Sequence, residues 1–251
     1  MTDVEDRGYD PVFYRELDQT GEPSARAIAP LLLELAPIAS AVDLGCGDGG
    51  WLAALRAAGV EDVLGLDGPW VDAAVLKIPH DRFRRVDLDA PVACERRFDL
   101  ALSLEVAEHL PASRAAGFVA ELCALAPLVL FSAAIPGQGG VHHVNERWPA
   151  YWAELFAARG YRAVDCLRPA IWNDARIAWW YRQNLLLFVE AARLAASPAL
   201  AALASPAPPL PLVHPERFAA ALRQGDPGLG RWLRNGPKAL RRSLRRRRDR
   251  R

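Results

Sequence analysis

The chain has 251 residues, 51% hydrophobic and 24% charged, which is ample for a sizeable core and excludes a wholly disordered chain. Basic and acidic residues number 31 and 30, but residues 238–251 carry a local +8 and leave −7 on the rest. Only that tail can attract a polyanion, and DNA is not an expected partner.

Four widely spaced cysteines without a C-x-x-C pair read as buried small hydrophobes in a reducing compartment. MTDVEDRGYD at the start has no apolar signal core. The longest uncharged apolar stretch, Leu122–Ile135, is interrupted by Pro127 and Ser132. Neither secretion nor a membrane span is expected, and the cytoplasm is the expected location.

In chain order, Gly21, Pro23, Pro30 and Pro37 punctuate a helix over 25–35, so residues 1–39 read as a helical cap. From Ser40 short apolar runs alternate with helical ones. Strands are expected at 41–45, 62–67, 83–87, 98–103, 128–133, 161–167 and 185–190, with helices at 49–58, 113–125 and 149–159. This is the signature of βαβ units in an α/β fold with a mainly parallel sheet. Residues 197–215, rich in Pro and Ala, read as a linker or wrapping arm. The expected organisation is therefore a domain over 40–195 and, over 196–251, the Pro-rich arm, a short helix near 215–223 and the basic tail.

VDLGCGDGGW, residues 42–51, lies where a strand yields to a helix. Glycines there permit a tight turn and close approach of a ligand to free N–H groups. Gly45, Gly47 and Gly50 satisfy G-x-G-x-x-G, which alone would equally suit a dinucleotide. Asp43 argues otherwise, since a carboxylate beside the turn repels a pyrophosphate but suits a ligand bearing an ammonium and a sulfonium. The electrostatics therefore favour S-adenosylmethionine over a dinucleotide. Asp67 closes the next strand, where it can accept from both ribose hydroxyls. Asp87 closes the third, where an acceptor can meet an adenine amino group. The plainer alternative is that such acids cap helices.

VDLGCGDGGW, GLDG, RVDLDAP and FDLALSLEVAEHLP, spanning 40–135, together resemble the successive motifs of class I S-adenosylmethionine-dependent methyltransferases. The resemblance implies a Rossmann-like seven-stranded sheet with helices on both faces and the last strand antiparallel. It places Asp43 near the methionine amino group, with Gly45, Cys46 and Gly47 lining the cofactor. Asp67 with Gly68 would meet the ribose, Asp87 and the Leu88 backbone the adenine, and Ser103–Glu105 the fourth-strand face. SAAIPGQGGVHHVNERWPAYW and RPAIWNDARIAWWYRQNLLLF resemble a bacterial branch often met beside glycan-assembly genes, extending the match to about residue 190. The expected acceptor is thus a sugar, glycan or nucleotide-linked sugar hydroxyl.

Methyl transfer to a hydroxyl needs alignment and a proton acceptor, for which histidine is suited. His109 follows the fourth strand, and His142 and His143 follow the fifth. Both are carboxyl ends, where open parallel sheets bind ligands. His143 is the leading candidate base, ahead of His142 and His109; His80 reads as surface, and nothing ties His214 to the site. The spacing of Glu105, Glu108 and His109 would put all three on one helical face. With His142 or His143 they can alternatively form a cation site, an arrangement similar to one in small-RNA 2′-O-methyltransferases; the rival reading is thus methylation of another small metabolite or of an RNA-like hydroxyl.

Trp148 and Trp152, four apart, read as core on one helix face. In AWWYRQN at 178–184 the adjacent indoles Trp179 and Trp180 cannot both point inward, so at least one is expected at a cleft. Arg182, Gln183 and Asn184 are candidates to bond acceptor hydroxyls or phosphate. The tail, with Leu240 and Leu244 among arginines, is either a solvated end or a basic amphipathic helix making peripheral membrane contact. A catalytically silent cofactor-binding partner in a glycan complex and an NAD-dependent oxidoreductase are the remaining alternatives.

Overall fold

The computed structural model describes residues 11–225; the basic tail lies outside them. The alternating pattern yields one sheet of seven strands: β1 (Ser40–Leu44), β2 (Asp62–Asp67), β3 (Phe83–Arg85), β4 (Leu100–Leu104), β5 (Leu128–Ser132), β6 (Tyr161–Val164) and β7 (Leu186–Glu190). Their spatial order is β3-β2-β1-β4-β5-β7-β6. Neighbours are parallel except for β7, which runs antiparallel to both β5 and β6. Strand order reverses between β1 and β4, the switch point at which open α/β sheets form a ligand crevice.

Every residue of β4 and β5 is buried, as expected of strands covered on both faces. Their side chains alternate between two cores. Leu100, Leu102, Leu128 and Leu130 face one core, with Ile28, Leu32, Leu52 and Leu55. Ala101, Val129 and Phe131 face the other, with Phe118, Phe156 and Phe188. The helices are α1 (Pro11–Leu35), α2 (Gly50–Ala57), α3 (Ala115–Leu125), α4 (Pro149–Ala157), α5 (Leu167–Ile171), α6 (Trp179–Asn184), α7 (Ala191–Ala195), α8 (Pro198–Leu203) and α9 (Pro215–Gly225). None of the described helices is long and apolar enough to cross a membrane.

Three expectations change. The first helix starts at Pro11 rather than Ala25 and runs through Pro23 and Pro30. Both prolines, seven residues apart, sit on its exposed side, whereas Gly21, Ala25, Ile28, Ala29 and Leu32 are buried. Burial of that stripe outweighs two missing backbone bonds. The boundary expected near residue 195 moves, because the first compact unit ends at Leu212 and the second starts at Val213. Leu200 is buried in the core, and Arg168 Nη1 donates to the Leu210 carbonyl at 3.0 Å. The Pro-rich segment up to Leu212 is therefore a wrapping arm that belongs to the first unit. Finally, Trp152 is buried but Trp148 is 40% exposed. Trp148 is the N-cap of α4, outside the helix whose periodicity would have turned it inward.

The second core centres on stacked rings of Phe156 and Phe188, 3.8 Å between centroids, with Phe131 edge-on to both. Phe156→Ala is expected to lower the unfolding free energy by about 3–5 kcal/mol in urea titration, the usual size for a large aromatic cavity. A loss below about 1 kcal/mol would show that the cluster does not carry the second core.

Candidate active site

Between β1 and α2 the chain turns on glycine. Gly45 has φ +86°, and a Cβ there would stand 2.4 Å from a Val106 methyl, so both conformation and space require its absence. The turn is pinned by Gly45 N–H to the Leu66 carbonyl at 2.8 Å and Gly49 N–H to the Cys46 carbonyl at 2.9 Å. Asp67, at the end of β2, accepts from Gly47 N–H at 2.7 Å and Gly68 N–H at 2.6 Å. The Asp67 carboxylate thus braces the glycine turn as well as facing the cavity. Burial drives its pKa up to about 6, against the pull of those bonds.

Asp43 is 2% exposed and its Oδ1 has no hydrogen-bond partner. Burial, with the nearby charges of Asp67 and Asp48, pushes its carboxyl up to about 8. Asp48 is compensated differently: Lys77 Nζ lies 3.1 Å from it and 2.7 Å from Glu22, which ties α1 to the turn. A buried, unanswered acceptor beside a bare glycine turn fits a ligand bringing a cationic donor, and S-adenosylmethionine meets that requirement where a dinucleotide pyrophosphate does not.

These residues open onto a cavity of about 470 Å³, within the usual range for small-molecule sites. Asp43, Gly45, Cys46, Gly47, Asp67 and Leu88 are among its lining residues, as are Glu105, Glu108, His109, His143, Trp179 and Trp180. The remaining candidates are not among the lining residues. Gly68 lies under the Trp70 ring, and Ser103 is buried within β4. Asp87 is exposed and accepts from Asp89 N–H, leaving Leu88 alone at the position expected to meet adenine. His142 is exposed, with φ +57°. Arg182, Gln183 and Asn184 are buried instead of offering bonds to an acceptor. α6 is a helix whose first three residues, Trp179, Trp180 and Tyr181, line the cavity while Arg182, Gln183 and Asn184 do not.

The segment after β4 is not an α-helix, which corrects the expectation that Glu105, Glu108 and His109 share one face. Glu105 adopts φ +56°, and only Ala107–His109 form a 3₁₀ turn. Both Glu105 carboxylate oxygens are engaged, Oε1 by Asn184 Nδ2 at 3.1 Å and Oε2 by Gln138 Nε2 at 2.9 Å. Glu108, fully buried, accepts from Ala134 N–H at 3.1 Å through Oε1, while its Oε2 has no partner. Desolvation by burial drives the Glu108 carboxyl well above the carboxylate range.

The Glu108 carbonyl accepts from both Val144 and Asn145 N–H at 2.9 Å, which draws the fifth-strand loop alongside. The His109 and His143 rings therefore meet edge to face, 4.8 Å between centroids. His143 Nδ1 lies 3.0 Å from Glu146 Oε1, and Glu146 in turn accepts from Gly137 and Gly139 N–H. Burial opposes the charge on Glu146, but these bonds outweigh it and hold its pKa low.

Sequence reasoning missed Gln138, Glu146, Tyr181 and the contribution of Thr20–Glu22 to the cavity. Glu146 follows His143 by three residues in HHVNE, a spacing that signals a carboxylate–histidine pair. No comparable local signal marks Gln138 or the middle of α1.

A family described as a methyltransferase domain matches residues 15–165, more than half the chain. No curated protein sequence matches. Solved structures show the same fold. An O-methyltransferase family protein from Burkholderia thailandensis is 15% identical, with TM-score 0.52, over 68% of this chain and 56% of that one, so the alignment spans only about half of that relative. DesVI of Streptomyces venezuelae is 17% identical, with TM-score 0.56, over 76% of this chain and 100% of its own. CalS10 from Micromonospora echinaspora, an amino pentose methyltransferase solved with S-adenosylmethionine, is 17% identical, with TM-score 0.54, over 72% and 98%. The fold is that of the class I, S-adenosylmethionine-dependent methyltransferases. The chain belongs to the methyltransferase-domain family.

The raised pKa of Asp43 has a defined sign in stability. Between the ordinary 3.8 and about 8 the folded state keeps a proton that the unfolded state has lost, so ligand-free stability declines as pH rises through that window. Relative to Asp43→Asn, the wild type is expected to lose up to about 1.4 kcal/mol per pH unit there, read from denaturation curves at pH 5 and pH 8. The same variant should bind S-adenosylmethionine at least about tenfold more weakly by calorimetry, the scale of one charged hydrogen bond. A pH-independent gap with unchanged affinity would remove Asp43 from the site.

Proposed function

We propose that this chain transfers a methyl group from S-adenosylmethionine to a hydroxyl of a sugar, glycan or nucleotide-linked sugar. One observation carries the reading: two indoles, Trp179 and Trp180, line the same cavity as the glycine turn and the titratable group Glu108, His109 and His143. Flat aromatic faces suit the apolar face of a sugar ring, and titratable side chains suit a hydroxyl that must shed a proton. The fold also serves an amino pentose methyltransferase, CalS10. The four described cysteines are all free, in keeping with work in the cytoplasm.

When bound, S-adenosylmethionine supplies an activated methyl on a sulfonium. The chain's own contribution is placement and proton handling. Asp43 holds the cationic end and the Gly45 turn lets it approach. The Trp179–Trp180 pair, 5.5 Å between centroids, orients the acceptor ring. Glu146 accepts from His143 Nδ1, fixing the tautomer so that Nε2 is the proton acceptor.

Gly140 packs against this ring, since a Cβ there would stand 2.1 Å from His143 Nε2. Gly140→Ala therefore has to displace a ring that Glu146 holds.

Labelled-methyl transfer to a panel of sugar nucleotides and glycans, with mass spectrometry of the product, tests the reading. Methyl on oxygen is expected. His143→Ala should lower kcat by about 10²–10⁴-fold with cofactor affinity unchanged, and Gly140→Ala should lower it in the same sense. Methylation on nitrogen or carbon, or a His143→Ala enzyme with undiminished kcat, would refute it.

A further inference from the structure

Glu108, His109 and His143 do more than line one cavity. One ligand atom from each lies within 4.8 Å of the others. Glu108 is 0% exposed, and its Oε2 has no hydrogen-bond partner. Leaving a carboxylate oxygen buried and unanswered is costly, and a histidine base has no need of it. Atoms bound about 2.1 Å from a common ion stand at most about 4.2 Å apart, so the observed spread closes around an ion with small side-chain shifts.

The surroundings are those of a metal centre. The backbone of Val144 and Asn145 is bonded to the Glu108 carbonyl, so the two ligand segments are joined. Glu146 on His143 Nδ1 supplies the outer carboxylate that metal-bound histidines commonly keep. Glu105 is withdrawn, both its oxygens being taken by Asn184 and Gln138.

We infer that Glu108, His109 and His143 bind a divalent transition-metal ion such as Mn²⁺, Co²⁺ or Zn²⁺. Two imidazoles and one carboxylate favour such ions over Mg²⁺ or Ca²⁺, and three protein ligands leave coordination positions open to the cavity. The inference deepens the hydroxyl-acceptor reading and rests on it for its chemistry, though ion binding stands without it. An acceptor hydroxyl taking an open position becomes more acidic: its proton leaves to solvent water and the oxygen keeps the electron pair. His143 then acts as a ligand, and the proton it would otherwise receive goes to water.

The full chain, stripped with chelator, is titrated with Mn²⁺ by electron paramagnetic resonance and calorimetry, and with Co²⁺ by visible absorption. One ion per chain is expected. Glu108→Gln and His143→Gln should each weaken binding by more than about tenfold, and Glu146→Gln by about 10–100-fold, with thermal melting confirming that each variant folds. Failure of the folded wild type to bind Mn²⁺, Co²⁺ and Zn²⁺ overturns the site, as does equal affinity in Glu108→Gln and His143→Gln. Hydroxyl methylation that proceeds undiminished in chelator overturns the metal's part and leaves the acceptor reading intact. One bound Mn²⁺ with no methylated hydroxyl among the acceptors leaves the ion site standing and overturns the acceptor reading.

Discussion

Burial of carboxyl groups at the carboxyl edge of the sheet is the constraint from which the site follows. Asp43 and Asp67 end or nearly end two adjacent strands, and Glu105 and Glu108 follow a third. In each, desolvation by burial is the largest influence and acts against the charged form. Such a concentration is destabilising by itself, and it persists because strands covered on both faces and two packed cores hold their ends in place.

The four groups divide into two kinds. Asp67 and Glu105 are answered from within: Asp67 braces the glycine turn, and Glu105 binds two side-chain amides. Asp43 and Glu108 each keep one oxygen unanswered. The answered pair is structural in effect, since it fixes the walls. The unanswered pair lines one cavity and asks for positive charge from outside the chain.

The strand alternation, the glycine turn and the acids near it were legible because each rests on local rules: period two, positive φ, and a turn between strand and helix. What was not legible depends on tertiary context. The expected helix began only after Gly21 and Pro23, yet Pro23 and Pro30 both lie on the solvent side of a helix that runs through them, where the buried stripe prevails. The spacing of Glu105, Glu108 and His109 suggested one helical face. Glu105 departs because its N–H reaches Ser132 and its carboxylate reaches Asn184, partners 27 and 79 residues distant. Polar character made Arg182, Gln183 and Asn184 look like acceptor contacts. Buried amides instead satisfy one another, a pairing that no local pattern announces.

Glu105 joins these observations. A non-glycine residue at φ +56° carries strain of about 1–3 kcal/mol and persists only where the surroundings over-determine it. Here its N–H is held by the Ser132 carbonyl at 3.0 Å, and Gln138 and Asn184 grip its carboxylate. Gln138 Oε1 also accepts from Gln183 and Asn184, so the loop after β5, the helix bearing the two indoles and the end of β4 form one polar network. That network ties the helix that carries Trp179 and Trp180 to the loop after β5, so these lining residues are held by amide bonds rather than by ion pairs, while Glu108 Oε2 keeps no partner.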